Sequence, residues 1–292
     1  MTVHSAHQPE VLPESGPRRS RRGLGLRNLN RQMLFGLVLL SPLLGVVFAP
    51  LLTAADPMRL GPELLTVPSL ANPMGTDDLG RDVFARVLYG GRVSLVVGLT
   101  SALIAAFVGT LIGTAAGYAG GVIDDALMRL TELFQIIPRF LLAIVVVALF
   151  GGGNYKIVLI IGLLSWPGTA RIIRAQLLVL RREEFVLAAI MGGASPVRVV
   201  LRQILPNLVP FIIVSVTLAT ASAMLAESFL SFLGLGDPTR PSWGLLLQQA
   251  QLYLKQAWWM SVFPGLLLSM TILGLNILGD GFTTRFGAKV VR

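Results

Sequence analysis

The sequence predicts an all-α protein that crosses a membrane several times, and three observations support this fold class. Of its 292 residues, 54% are hydrophobic and only 13% are charged, which is about half the charged fraction of an ordinary soluble domain. Several apolar runs of about 20 residues are long enough to cross a hydrocarbon core of about 30 Å. Basic residues are concentrated in alternate connecting segments, as expected for a polytopic protein.

The distribution of charge predicts which segments face the cytosol. The net charge is +9, and most of the basic residues lie in segments 1–32, 171–206 and 282–292, whereas segments 53–92 and 231–258 are close to neutral. Because cytoplasmic segments retain Lys and Arg, we expect six transmembrane helices with both termini in the cytosol. The same rule accounts for the basic excess without a role in nucleic-acid binding.

Several kinds of chemistry are excluded by residue content. The chain has no cysteine, and its two histidines, His4 and His7, lie in the amino-terminal tail. A disulfide, a thiol nucleophile and a buried imidazole are therefore excluded. No P-loop sequence is present for nucleotide binding. The aspartates at 77, 78 and 82 stand at a loop–helix junction, where capping explains them better than a metal site. We expect no cofactor or metal in this chain.

The amino-terminal part of the chain divides into three predicted segments. Residues 1–32 are polar, basic and aperiodic, which predicts a disordered cytosolic tail. Residues 33–52 form the first span; small residues follow it as at a signal-peptide cleavage site, but the apolar run is longer than a signal peptide requires. Residues 53–92 form an extracytoplasmic loop that ends in an amphipathic helix over 82–89.

Residues 93–281 are expected to form a core of five helices. The second span, 93–119, contains glycines at four-residue intervals, which allow another helix backbone to approach closely. These glycines are Gly109, Gly113 and Gly117. The other spans are expected at about 126–150, 155–174, 207–230 and 259–281, and Pro138 breaks the first of these four. Residues 282–292 form a cytosolic carboxyl-terminal tail.

The loop 177–206, between the fourth and fifth spans, contains more local structure than a membrane connection requires. Acidic residues at 183 and 184 suit the start of a short helix, and Gly192-Gly193 offers a left-handed cap at its end. Ser195 fits the N-cap of a second helix with Pro196 at its first position. In that second helix an apolar stripe lies opposite two arginines: Val197, Val200, Leu201 and Ile204 against Arg198 and Arg202.

This loop has two interpretations that spacing alone does not separate. Small side chains at Ala188, Ala189 and Gly193 would let a partner's surface close over the first helix and form a rigid joint. Alternatively, the segment is an ordinary amphipathic loop that lies on the membrane surface.

Four stretches of the chain resemble one family of membrane proteins. Leu187-Ala188-Ala189, Gly193 and Ile204-Leu205-Pro206 resemble the E-A-A-x-x-x-G…I-L-P loop of permease subunits of ATP-binding-cassette (ABC) importers. Three further stretches resemble the dipeptide/oligopeptide/nickel subfamily. They are GTDDLGRDV at 75–83 leading to RVSL at 92–95, LSFLGLG at 230–236 followed by PSWG at 241–244, and FPG at 263–265 with NILGDG at 276–281. The resemblance covers about residues 30–287.

The resemblance implies a type I ABC importer permease fold in the cytoplasmic membrane of a prokaryote. It implies as partners a second homologous permease, two ATPase subunits (or one fused subunit), an extracytoplasmic solute-binding protein and the lipid bilayer. ATP and Mg²⁺ would be bound by the ATPase subunits, whose closure acts through the loop 184–206. The implied coupling residues are Glu184, Leu187, Ala188, Ala189, Gly193, Ser195, Ile204 and Pro206.

This chain departs from the family pattern at one position of the loop. The family often has an acid where Leu187 stands. Glu184 lies three residues earlier, on about the same face of the helix. We therefore expect Glu184 to supply the missing polar contact.

A charged residue within a transmembrane span costs free energy, so such residues are candidate functional residues. Arg139 follows Pro138 near the middle of the third span, where it either faces the translocation pathway and attracts a carboxylate or pairs with Glu132. Glu227, near the end of the fifth span, either lines the pathway or reaches water at a helix end.

Other functions are less consistent with the sequence. Gly234-Leu235-Gly236-Asp237 matches the G-x-G-D of intramembrane aspartyl proteases, but no Tyr-Asp partner is present. An autonomous channel or carrier does not need a docking loop.

Within the resemblance, the transported solute could be a short peptide, a nickel chelate or a glutathione-like molecule, and short peptides are the expectation.

Overall fold

The computed structural model describes residues 22–290, with side chains described for residues 31–283. The predicted disorder of residues 1–21 lies outside the described residues. The helices, in order, are α1 Arg22–Leu40, α2 Pro42–Val47, α3 Ala49–Leu52, α4 Val83–Ala119, α5 Gly121–Ile136, α6 Arg139–Phe150, α7 Asn154–Leu180, α8 Glu184–Met191, α9 Pro196–Val199, α10 Leu205–Phe232, α11 Trp243–Ala250 and α12 Trp259–Val290. A π-helical turn spans Val200–Ile204 and a 3₁₀ turn spans Gln251–Tyr253.

The all-α membrane fold predicted from the sequence is confirmed. Between residues 22 and 290, β structure is limited to one isolated bridge, between Thr76 and Asp82. Four helical segments are long and apolar enough to span a membrane: Val83–Ala119, Asn154–Leu180, Pro196–Phe232 and Trp259–Thr283. The bent pair α5–α6 is a fifth candidate, and the apolar helix Arg31–Val47 is shorter than the others.

Several helix boundaries differ from those predicted. Helix α1 begins at Arg22, within the predicted tail 1–32; no proline stands between Arg22 and Pro42, and a helix, once nucleated, propagates. Ser41-Pro42 then ends α1, so the predicted first span 33–52 holds the second part of α1 and the short helices α2 and α3. The predicted amphipathic helix 82–89 and the second span form one continuous helix, α4, which is capped by Asp82 accepting the N–H of Phe84 at 3.0 Å. Helix α12 continues beyond the predicted end at 281.

The third predicted span is divided into two helices at Pro138. Helices α5 and α6 meet at an angle of 75°. Ile137 is extended, with φ −82° and ψ 125°, as expected for a residue whose α conformation is disfavoured by the proline that follows it. The break therefore has a local cause, and it places Arg139 in the first turn of α6.

Helices α4 and α7 pack with their backbones close together at the predicted glycine series. A Cβ atom added at Gly109 would lie 2.7 Å from the Cβ of Thr169, and one added at Gly113 would lie 3.0 Å from the Cβ of Ile173. Neither distance leaves room for a side chain. Asp124 also accepts two hydrogen bonds from Arg174, at 2.5 and 2.6 Å, and joins α5 to α7. Helix α7 is therefore held firmly against α4.

The substitution Gly113→Leu should destabilise the folded chain, because the new side chain must separate α4 from α7. We expect the free energy of unfolding to fall by about 1–3 kcal/mol. The measurement is the fraction of detergent-solubilised protein that stays monodisperse after heating. The matched control is Gly168→Ala in α7, where an added Cβ meets nothing within 4 Å. Equal thermal stability of the two variants would contradict this packing account.

Candidate functional site

The loop after α7 is anchored by one hydrophobic cluster. Val186 of α8 and Val199 of α9 are completely buried. They belong to a cluster of buried residues whose other members are Ile173, Leu177, Leu180, Ile204 and Leu208. A fully buried aliphatic side chain stabilises by roughly 1.5–3 kcal/mol relative to exposure in water. We call this set the anchor cluster. It fixes α8 and α9 to the carboxyl-terminal end of α7 and the start of α10.

The turn between α8 and α9 has the predicted left-handed glycine. Gly193 has φ +77°, a conformation that is strained for other residues. The N–H of Gly193 donates to the carbonyl of Ile190 at 3.0 Å, and that of Ala194 donates to Ala189 at 3.1 Å, as in a Schellman cap. Ser195 precedes α9 in an extended conformation, but its side chain forms no capping hydrogen bond. Ser195 is thus the N-cap residue of α9 with Pro196 at the first helical position, as predicted, and the first helical bond runs from Val199 N–H to Ser195 C=O.

One side of α8 is exposed, and it is more apolar than predicted. We call it the α8 face; its residues are Glu184, Phe185, Leu187, Ala188, Ile190 and Met191. Met191 is 88% exposed and Leu187 is 47% exposed. Ala189, predicted to share this side, is half-buried against the anchor cluster. An exposed apolar surface next to charged residues is typical of a protein-binding site.

The second half of the loop continues directly into a membrane-spanning rod. Residues Pro196–Phe232 form one helical segment of 37 residues. Pro206 cannot donate a backbone hydrogen bond, and the rod passes it through a π turn in which Leu205 N–H bonds to the carbonyl of Val200. The π turn divides the predicted apolar stripe: Ile204 is buried, whereas Val197 and Leu201 are exposed. Pro206 itself is exposed.

A second candidate site is an open cavity of about 430 Å³ between α6, α7 and α10. Arg139 of α6 lines it and is exposed. Among the side chains that the structure describes, Arg139 takes part in no ion pair, so the alternative pairing with Glu132 is not formed. The walls are mainly apolar and include Phe140 and Phe229, whose rings meet edge to face at 4.3 Å between centroids.

Glu227 lies away from this cavity. Its side chain is completely buried, so in this structure it neither lines a passage nor reaches water, in contrast to both sequence interpretations. Hydroxyl groups of three serines donate to its carboxyl oxygens: Ser94 at 3.0 Å, Ser228 at 3.3 Å and Ser231 at 2.8 Å. The hydroxyl of Ser94 also accepts the N–H of Trp243 at 3.2 Å. Glu227 thus joins α10 to α4 and to the start of α11.

An ion network in the loop before α4 was not predicted from the sequence. Asp77 is buried, and its Oδ2 accepts from Arg81 Nε at 2.7 Å and from Arg86 Nη1. Its Oδ1 accepts the backbone N–H groups of Leu79 and Arg81, both at 2.9 Å. Arg86 also donates to Gln249 of α11 at 2.9 Å. The four-residue spacing of Asp77 and Arg81 was the only local signal of this network.

Comparison with known proteins identifies the family. Residues 109–292 match the family of binding-protein-dependent transport system inner membrane components. The chain belongs to this family. It is 40% identical over 265 residues to a peptide permease protein of Brucella suis, a match that covers 89% of this chain and 88% of the relative. It is 41% identical over 262 residues to a peptide ABC transporter permease protein of Sinorhizobium fredii, a match that covers 89% of each chain.

Membership accounts for the general character of the molecule. Relatives that align along nearly all of this chain are named as permeases of transport systems. This inner membrane component is therefore a multi-pass membrane protein that takes part in transport and is not an enzyme.

The substitution Asp77→Ala should destabilise this inner membrane component strongly, because it leaves the buried Arg81 and Arg86 without their common partner. Breaking a buried ion network in this way costs about 3–5 kcal/mol. The measurement is the yield and thermal stability of detergent-solubilised protein. Asp78→Ala is the control, since Asp78 is only half-buried and reaches Arg81 at 3.6 Å. If Asp77→Ala lowered the thermal stability no more than Asp78→Ala does, the structural role of the network would be disproved.

Proposed function

We propose that this chain is a permease subunit of an ABC importer and forms half of the translocation pathway for short peptides. The observation that carries the proposal is the α8 face, which is exposed, apolar and held by the anchor cluster on the membrane-spanning helices. In this proposal an ATPase subunit docks on the α8 face. ATP and Mg²⁺ are bound by two ATPase subunits, or by one fused subunit, and not by this chain.

The chemistry of the α8 face suits docking in a groove of another protein. The large apolar side chains of Phe185, Leu187 and Met191 provide apolar contact area for a partner. The small Ala188 between them would let the partner approach the helix backbone. Glu184 adds a carboxylate in the first turn that makes no ion pair among the described side chains. Such a combination of apolar core and polar rim is typical of protein interfaces.

The packing of α8 explains how a displacement of this helix would reach the membrane-spanning helices. Val186 contacts an anchor cluster that contains residues of both α7 and α10. Helices α7 and α10 also form walls of the cavity that contains Arg139. A displacement of α8 by a closing ATPase pair would therefore move two walls of the cavity as rigid bodies. This is the linkage that alternating access requires.

The remaining parts of the proposal concern assembly and topology. The cavity is open to the surface of the chain, and a second homologous permease would complete the passage. A solute-binding protein would deliver the solute from the extracytoplasmic side. The chain would cross the cytoplasmic membrane six times, with α1–α3 as the first span and both termini in the cytosol, as the positive-inside rule indicates.

The choice of solute follows from the relatives. The relatives compared above are named for peptides, and we therefore propose short peptides. The same architecture would serve nickel chelates or glutathione-like solutes. An autonomous carrier or an intramembrane enzyme fits less well, because neither uses a rigidly anchored docking helix.

The substitution Ala188→Arg should prevent ATPase docking without unfolding the chain, because Ala188 is exposed and lies in the proposed docking surface. When the chain is co-expressed with its permease, ATPase and binding-protein partners, we expect at least a tenfold loss of ATPase co-purification and of peptide uptake. Ala188→Ser, which keeps a small side chain, should retain both. Normal co-purification of ATPase with the Ala188→Arg variant would refute the proposed docking site.

The same assay tests whether Glu184 supplies the polar contact that Leu187 lacks. Glu184→Gln should lower uptake several-fold while the protein remains folded. If Glu184→Gln is as active as the unsubstituted chain while Ala188→Arg is inactive, Glu184 has no part in coupling.

A further inference from the structure

We propose that the cavity between α6, α7 and α10 is a carboxylate-binding site on the translocation pathway. In this site Arg139, Ser165 and Ser222 bind the terminal carboxylate of a peptide. This inference rests on the proposed function and adds to it the part of the solute that is recognised and the residues that recognise it.

The charge of Arg139 requires a partner or water. Arg139 lies eleven residues before the end of α6 at Phe150, which places it about 17 Å from that end at 1.5 Å per residue. With α6 along the membrane normal and Phe150 at the membrane surface, this distance reaches the middle of a hydrocarbon core of about 30 Å, where an unpaired charge is energetically costly. No described side chain forms an ion pair with Arg139. The guanidinium group therefore faces an aqueous passage or an anion that comes from outside the chain.

Two serines bring free hydroxyl groups to the same depth. Ser165 of α7 and Ser222 of α10 line the cavity, and within the described side chains neither hydroxyl has a hydrogen-bond partner. Ser165 is eleven residues from the start of α7 and Ser222 is ten residues from the end of α10. These separations are about 17 and 15 Å along the helices.

The three helix ends lie on the same side of the molecule, so these depths can be compared. Gly151, Gly152 and Gly153 connect α6 directly to α7. A Cβ atom added at Gly152 would lie 2.5 Å from the carbonyl oxygen of Leu235, just after α10. The cation and the two hydroxyl groups therefore form one polar layer in a cavity whose other walls are apolar.

This arrangement fits a carboxylate attached to an apolar body. A guanidinium group and hydroxyl donors satisfy a carboxylate, while the ring pair Phe140–Phe229 and the aliphatic walls suit apolar side chains. The volume of about 430 Å³ is within the range of small-ligand sites. A peptide amide or a cationic solute would leave Arg139 without a counter-charge.

The experiment uses the absence of cysteine from the chain. Leu225→Cys, at an exposed position of the cavity wall that holds none of the proposed carboxylate contacts, is introduced and the complete complex is expressed in cell membranes. Its rates of reaction with anionic sulfonatoethyl methanethiosulfonate and cationic trimethylammonioethyl methanethiosulfonate are then compared. We expect the anionic reagent to be favoured. Adding Arg139→Gln should reduce this preference about tenfold, the effect of removing a nearby charge in a medium of intermediate dielectric constant. Arg139→Lys should preserve the preference.

The second arm identifies the anion. Millimolar alanyl-phenylalanine should slow the modification of Leu225→Cys, whereas its carboxyl-terminal amide should not, and Arg139→Gln should abolish this protection. Leu141→Cys, exposed on α6 but outside the cavity, is the control and should stay unreactive. Ala226→Cys, also on the cavity wall, replaces Leu225→Cys if the latter does not fold.

Three results would overturn the inference. A cavity thiol as unreactive as Leu141→Cys would show that no aqueous passage reaches the cavity. Equal rates for the two reagents would show that Arg139 creates no usable positive potential there. Equal protection by the acid and the amide, or by neither, would show that no carboxylate is bound. The charge preference does not depend on ATPase docking, so its failure is distinguishable from a failure of the proposed function, which the Ala188→Arg experiment tests.

Discussion

The close approach of α4 and α7 is the constraint on which the rest of the molecule depends. Because Gly109 and Gly113 leave no room for side chains, the two backbones form one stiff unit, and the ion pair between Asp124 and Arg174 extends that unit to α5. Helix α7 contributes a wall to the cavity near its middle and part of the anchor cluster at its carboxyl-terminal end. One continuous helix, α7, thus connects the two candidate sites.

The second connection is the rod that begins at Pro196 and ends at Phe232. It starts beside the α8 face, contributes Ile204 and Leu208 to the anchor cluster and lines the cavity at Ser222 and Phe229. The π turn lets this rod pass Pro206 without a break. In the proposed coupling, force applied at α8 would reach the cavity along α7 and α10, whereas a flexible loop at this place would absorb it.

The sequence predicted the features that have local causes and missed those that depend on distant contacts. The break at Pro138, the cap at Asp82 and the left-handed turn at Gly193 follow from the conformational limits of single residues, and all three are present. The burial of Glu227 depends on Ser94, which lies 133 positions away, and the environment of Arg86 depends on Gln249, 163 positions away. No local pattern reveals such partners. The exposed side of α8 was predicted only in part, because the anchor cluster that covers Ala189 forms in three dimensions.

The most direct test of the coupling account is a cross-link from the α8 face in the assembled complex. Ala188→Cys would be the only thiol in the chain, and a short bifunctional thiol-reactive reagent would join it to whatever protein lies against it. The account predicts a cross-link to an ATPase subunit, with Leu141→Cys giving none. A cross-linked product that lacks an ATPase, obtained from a complex that still hydrolyses ATP and imports solute, would contradict the account.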